Sequence, residues 1–84
     1  MIEYTLTKHA ETVLKERGIQ LDWLERILLN PIQQHMDLTD PVLKHAIGPI
    51  VENGDRLLRV IYNDSVNPMR IVTAYFDRTL RKSL

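Results

Sequence analysis

Asn30-Pro31 constrains this chain more than any other pair of residues, because a residue that precedes proline is pushed out of the helical region. Whatever helix runs into it must stop there. Upstream, Thr7 is a plausible N-cap for a helix over residues 8–17, and Gly18 ends that helix by taking a left-handed conformation that other residues resist. Asp22 with Glu25 forms a capping-box-like start to a second helix, whose apolar stripe is Trp23, Leu24, Ile27 and Leu28. Residues 2–6 alternate as a short strand does. Helix is thereby confined to the first third of the chain.

Everything after Pro31 reads as sheet. Residues 32–36 form a strand, and Asp37, Thr39, Asp40 and Pro41 carry turn chemistry. Asn53-Gly54 between extended runs predicts a two-residue type I′ hairpin, with residues 47–52 and 55–63 pairing antiparallel. Asp64, Ser65, Asn67 and Pro68 make a second turn before a last strand over residues 69–76. The expectation is an α+β domain: two N-terminal helices packed on an antiparallel meander.

At 84 residues there is room for one domain only, residues 1–84. With no cysteine, neither disulfides nor thiolate zinc can supplement the core, and an intracellular, reducing compartment is expected. No secretory leader pattern and no apolar run of about 20 residues occurs, so a soluble cytoplasmic protein is expected. The net charge is zero but unevenly spread: residues 1–55 hold 5 Lys/Arg against 9 Asp/Glu, and residues 56–84 hold 6 against 2. A basic end that meets phosphate and an acidic end that meets a partner would give this asymmetry; so would acidic helices lying on a basic sheet.

Successive strand residues point to opposite faces. Leu58, Val60 and Tyr62 should share the core face with Val72, Ala74 and Phe76, leaving Leu57, Arg59 and Ile61 beside Ile71, Thr73 and Tyr75 on the other. A turn symmetric about Val66 would set Arg59 across from Thr73, within reach of a shared ligand. The same pattern also describes a solvated face with an arginine lying over apolar neighbours. His9, in a first helical turn, meets the positive end of the helix dipole and would suit a neutral general base, although a helix-start histidine with no role looks the same. His35 reads as a surface residue of an edge strand. His45 precedes Gly48-Pro49, where a bulge leaves its face open.

Other chemistries find no footing. Gly18, Gly48 and Gly54 make no phosphate-cradling loop, Ser65 and Ser83 lie in no nucleophile elbow, and no two histidines have zinc-ligand spacing. No helix carries a basic DNA-reading face. No cofactor and no metal is expected; metal-free chemistry with His, Arg, Thr and Tyr remains, or binding alone.

Leu6-Thr7-Lys8-His9-Ala10, Arg17-Gly18-Ile19, Asn30-Pro31, Leu58-Arg59-Val60 and the run from Val72 through Tyr75 and Phe76 to Arg78 resemble, nearly end to end, small bacterial domains of unknown function. Those domains are similar to RelE-like and BrnT-like toxins, within the barnase, EndoU, colicin and RelE ribonuclease superfamily. The resemblance implies a toxin-like, metal-free endoribonuclease with His9 as base, Arg59 as phosphate clamp and Thr73 or Tyr75 completing the site. It also implies RNA contacts from Arg17, Arg78, Arg81 and Lys82, and a small antitoxin as partner. Where relatives carry an arginine one turn after the histidine, this chain has Val13. The alternative is a non-catalytic adaptor of the same fold; pairing into a homodimer through sheet edges is open to either.

Overall fold

The computed structural model describes residues 2–79. In chain order the elements are β1 (Tyr4–Leu6), α1 (Lys8–Arg17), α2 (Leu21–Leu29), β2 (Gln33–Met36), β3 (Leu43–Ile50), β4 (Arg56–Asn63) and β5 (Met69–Phe76). The fold is α+β, with both helices packed on one face of a five-stranded sheet of order β1-β5-β4-β3-β2.

Thr7 caps α1 as expected: its Oγ1 accepts from the Ala10 N–H at 3.0 Å and donates to the Val72 carbonyl at 3.2 Å, tying the helix start to β5. Gly18 ends α1 at φ 65°, and the Ile19 N–H reaches back to the Leu14 carbonyl at 2.9 Å, closing the helix end with a six-residue loop. The second helix begins two residues earlier than the Asp22–Glu25 pattern implied. Gln20 is its N-cap and makes no side-chain cap bond. Asp22 instead sits inside the first turn and bonds Arg26 one turn on at 3.0 Å, while Glu25 accepts from the Tyr4 hydroxyl at 2.7 Å. Both carboxylates are taken by partners that the helix and β1 bring to them, so neither closes a capping box. Asn30 ends α2 where the following proline requires.

The sheet is mixed rather than purely antiparallel. Strands β2 to β5 form the expected meander, but β1 pairs with β5 in parallel, Tyr4 opposite Met69 and Leu6 opposite Ile71. The two helices carry the chain from β1 across one face to the far edge, and the meander then works back. After four strands its last member runs alongside the first.

The first hairpin also differs from its predicted form. β3 ends at Ile50 and β4 starts at Arg56, joined by a single 3-10 turn over Val51–Asn53 and two left-handed residues, Gly54 at φ 66° and Asp55 at φ 60°. The left-handed pair is therefore Gly-Asp, one position later than a type I′ Asn-Gly turn. Aspartate is one of the few side chains that tolerates this region. Ile50, fully buried, anchors the strand end, and the Asp55 N–H closes the loop onto its carbonyl at 3.0 Å.

The core lies between the helices and the sheet. Leu24 and Ile27 of α2 and Ala10 and Leu14 of α1 meet Ala46, Ile50, Leu58, Val60 and Ala74. Trp23 stands edge-on to Phe76, with ring centroids 6.0 Å apart. Gly48 lets α2 approach β3 closely, because a Cβ there would lie 2.8 Å from Ile27 Cδ1. One irregularity changes which residues face the core. The register between β4 and β5 shifts between Ile61 and Tyr62, so that Tyr62 pairs with Ile71. Ile71, expected on the far face, is fully buried in the core, and Val72, expected in the core, is only half-buried. A bulge turns one residue out of alternation and inverts the parity of everything beyond it.

Candidate functional site

Alternation places Gln33 and His35 of β2, His45 and Ile47 of β3, Leu57, Arg59 and Ile61 of β4, and Thr73 and Tyr75 of β5 on the face away from the helices. Two cross-sheet rows result. One runs Tyr75, Arg59, Ile47, Gln33; the next runs Thr73, Ile61, His45, His35. Arg59 therefore lies opposite Tyr75, not Thr73, and Thr73 sits one pair further along opposite Ile61. The cause is the turn and the bulge together, which displace the pairing by two residues and so preserve the face while changing the partner.

Arg59 reaches diagonally from its own row into the next and organises the face. Its Nε and Nη2 bond Oδ2 of Asp77 at 2.9 and 2.8 Å. Its Nη1 meets His45 Nδ1 at 2.7 Å and His35 Nε2 at 3.2 Å. Side-chain exposure is only 11% for Arg59 and 8% for Asp77, so the charge is removed from water and neutralised in place. Beyond His45, its Nε2 meets Asp37 Oδ1 at 2.7 Å. The two imidazoles stack with centroids 4.8 Å apart and planes at 28°. His35 is the exposed member of the group, and its Nδ1 lies 3.0 Å from the Met36 carbonyl.

These contacts assign the protons. A guanidinium has hydrogens but no lone pair to offer, so both ring nitrogens that face Nη1 must be acceptors. His45 then carries its proton on Nε2, donating to Asp37, and His35 carries its proton on Nδ1, donating to Met36. Nη1 has two hydrogens, one for each ring. Both histidines are held neutral, in opposite tautomers, by one arginine nitrogen.

The two carboxylates that bracket this chain of contacts are built alike. Asp37 Oδ2 accepts from the Thr39 N–H, the Thr39 hydroxyl and the Asp40 N–H at 3.1, 2.9 and 3.0 Å. Asp77 Oδ1 accepts from the Thr79 N–H and hydroxyl at 2.9 and 2.6 Å. The His45 hydrogen bond, followed by those from Thr39 and Asp40, holds Asp37 well below the usual carboxylate range. Asp77 is also lowered, first by the Thr79 hydroxyl, with the Thr79 N–H and Arg59 adding to it against the opposing effect of burial. Both are ionised acceptors that fix their partners' orientation.

Arg59, Thr73 and Tyr75 thus share one face, as the alternation implied. His9 does not join them: it is exposed on α1, on the helix side of the sheet, and its ring makes no hydrogen bond among the described residues. Arg17 donates to the Ala74 carbonyl at 2.8 Å, holding the end of α1 against β5. Arg78 is exposed just past β5, and Arg81 and Lys82 lie outside the described residues. Among the described residues no group of three or more His, Cys, Asp or Glu side chains is arranged to hold a metal ion.

The residues that sequence reasoning passed over are His35, His45, Asp37 and Asp77. Two signals for them are present in the chain. Asp37-Leu38-Thr39 and Asp77-Arg78-Thr79 repeat one Asp-x-Thr pattern at the ends of two strands, and folding the second and third strands about Asp40 sets His35 opposite His45.

The fold and this face define a small α+β sheet domain with a pair of neutral histidines clamped on a buried arginine–carboxylate pair. Residues 6–76 match the domain of unknown function DUF4258, and the chain belongs to that family. Searches of curated proteins and of solved structures return no match.

Proposed function

We propose that the protein is a toxin-like, metal-free endoribonuclease of the RelE-like kind, acting at the Arg59 face in the cytoplasm and held by a small antitoxin-type protein. The observation that carries this reading is that Arg59 Nη1 fixes two neutral histidines, one of them exposed, on the face where Tyr75 lies directly opposite Arg59. His35 replaces His9 as the base. Its Nε2, which accepts from Arg59 Nη1 at 3.2 Å, gives up that bond as the exposed ring turns to an approaching strand, and takes the proton of a 2′-hydroxyl as the 2′-oxygen bonds to phosphorus. The bond to the 5′-oxygen breaks, and that oxygen takes a proton from water, leaving a 2′,3′-cyclic phosphate; the hydroxide so formed takes the proton from His35 and restores it. Arg59 is a positioning residue here, because its own charge is already matched by Asp77.

That same pairing favours a second reading. All three Arg59 nitrogens are engaged and the group is almost wholly buried, which is what a cross-brace needs in a sheet that binds RNA or protein without cutting it.

Cleavage of mixed RNA by the purified chain in chelator, with products resolved to the nucleotide, separates the two. Specific cuts that end in cyclic phosphate, reduced by about 100-fold or more in His35→Gln with the fold intact, support the nuclease. Absence of cuts even with ribosomes, or cuts indifferent to His35, leaves the binding module. Growth arrest on expression of the chain alone, relieved by His35→Gln, would be the cellular counterpart.

A further inference from the structure

Beside the Arg59 face, at the end of β5, lies a cleft of about 420 Å³ lined by Arg17, Arg56, Tyr75, Phe76 and Arg78. Three of its five residues are arginines and none is acidic. The topology produces it: β1 pairs only with residues Met69 to Ile71 of β5, so the rest of that strand's outer edge has no neighbouring strand. Thr7 Oγ1 takes the Val72 carbonyl and Arg17 Nη1 takes the Ala74 carbonyl, which leaves Arg17 braced at the rim by one nitrogen, with no further hydrogen bond from its guanidinium among the described residues. Arg56 lies over the Phe76 ring, 5.1 Å from its centroid. That contact anchors the guanidinium over the ring, and among the described residues no hydrogen bond takes its N–H groups. Among the described residues, none of the three arginines enters an ion pair, whereas Arg26, Lys44 and Arg59 each have a carboxylate.

Three guanidiniums with no ion pair among the described residues, set around one concavity, call for an anion with several acceptor oxygens, and the fork of an arginine matches phosphate geometry. Tyr75 supplies what a bare inorganic ion would not use, a surface for a flat ring, while Phe76 is held between Arg56 and Trp23. We infer that this cleft binds the phosphate of a nucleotide, with Tyr75 against the base. Tyr75 belongs both to this cleft and to the Arg59 face, so a strand whose phosphate is held here can run on across that face. In that placement the inference rests on the RNA reading above and adds the cation that Arg59, spent on Asp77, does not provide. The phosphate carrier is either an RNA strand or a free nucleotide; the chemistry of recognition is the same.

The test is equilibrium binding of a short labelled oligoribonucleotide, 2′-O-methylated so that it cannot be cut, to the purified full chain across a salt series. Each neutralised phosphate contributes about 0.7 to the slope of log affinity against log salt for a single strand, so three arginines give a slope of about −2. Arg56→Gln and Arg78→Gln, both at exposed positions, should each reduce that magnitude by about 0.7 while circular dichroism and melting stay those of the native chain. Arg70→Gln, exposed near the opposite end of β5, should leave it unchanged. Displacement of the strand by a nucleoside monophosphate assigns the site to a free nucleotide, and failure of the monophosphate to displace it assigns the site to a strand; either supports the cleft. Absence of binding, a slope indifferent to Arg56 and Arg78, or displacement by an acidic peptide better than by nucleotide overturns it. Because the probe cannot be cleaved, a chain that binds it through these arginines yet cuts no RNA refutes the nuclease and leaves the cleft standing.

Discussion

Replacing Asp77 by Ala should be among the most damaging changes a polar residue of this chain can suffer. The carboxylate is 8% exposed and receives two N–H bonds from Arg59, which is itself 11% exposed. Removing it strands a guanidinium that sits mostly out of water, and breaking a buried pair in this way costs about 3–5 kcal/mol. The Thr79 hydroxyl bond at 2.6 Å disappears as well. For a chain of 84 residues, total stability at about 0.05–0.15 kcal/mol per residue is roughly 4–13 kcal/mol, so the variant should be close to unfolding or well destabilised. Urea titration followed by circular dichroism reads this as a large fall in midpoint at unchanged slope. The double variant Asp77→Ala with Arg59→Met removes the orphaned charge and should recover part of the loss, so the two costs must not add. A single-variant cost below about 1 kcal/mol, or strict additivity, would show that water reaches the pair and would refute the account of Arg59 as a buried brace.

Acid should act on the same cluster. Asp37 and Asp77 are both lowered in the folded state, so the unfolded chain binds more protons in acid. Their stabilisation is whole above the unfolded carboxylate value of about 4 and drains as pH falls below it; melting temperature against pH should drop there, and Asp37→Asn should flatten the drop. The opposite sign holds for Tyr4, whose hydroxyl is pushed up to about 12 by burial and the bond to Glu25, so its contribution is present below about pH 10 and fades as pH rises through 12. Tyr4→Phe should make alkaline melting curves less steep in pH. Gly48→Ala sets a Cβ 2.8 Å from Ile27 Cδ1 and should cost about 1–3 kcal/mol by overpacking; Ile27→Val, which deletes that methyl, should cost less in the Gly48→Ala background than alone, and equal costs would exclude the clash.

Much of the local structure was readable residue by residue. Thr7, Gly18 and Asn30-Pro31 bound their helices because each acts through its own backbone and one or two neighbours, and nothing distant competes. Asp22 failed as a cap because Arg26 is a better-placed partner once the helix has formed. Asn53-Gly54 marked a reversal correctly but not its form, since the strand end was decided by how deeply Ile50 is buried. The face of Arg59, Thr73 and Tyr75 followed from a period of two; the pairing did not.

What the amino-acid order determined by itself was the division into two helices and a sheet, the helix ends and the set of residues on each face of β4, because these depend on steric and hydrogen-bonding preferences that operate within a few residues. What only the tertiary structure decided was everything that depends on register. The bulge at Ile61 and Tyr62 moved Ile71 into the core, the crossover made β1 parallel to β5, and the β2–β3 pairing stacked His35 on His45 beneath Arg59. Pairing is chosen by the burial of whole strands against the helices, a sum over distant contacts, so a site made from three strands and two strand-end loops exists only once that sum has been settled.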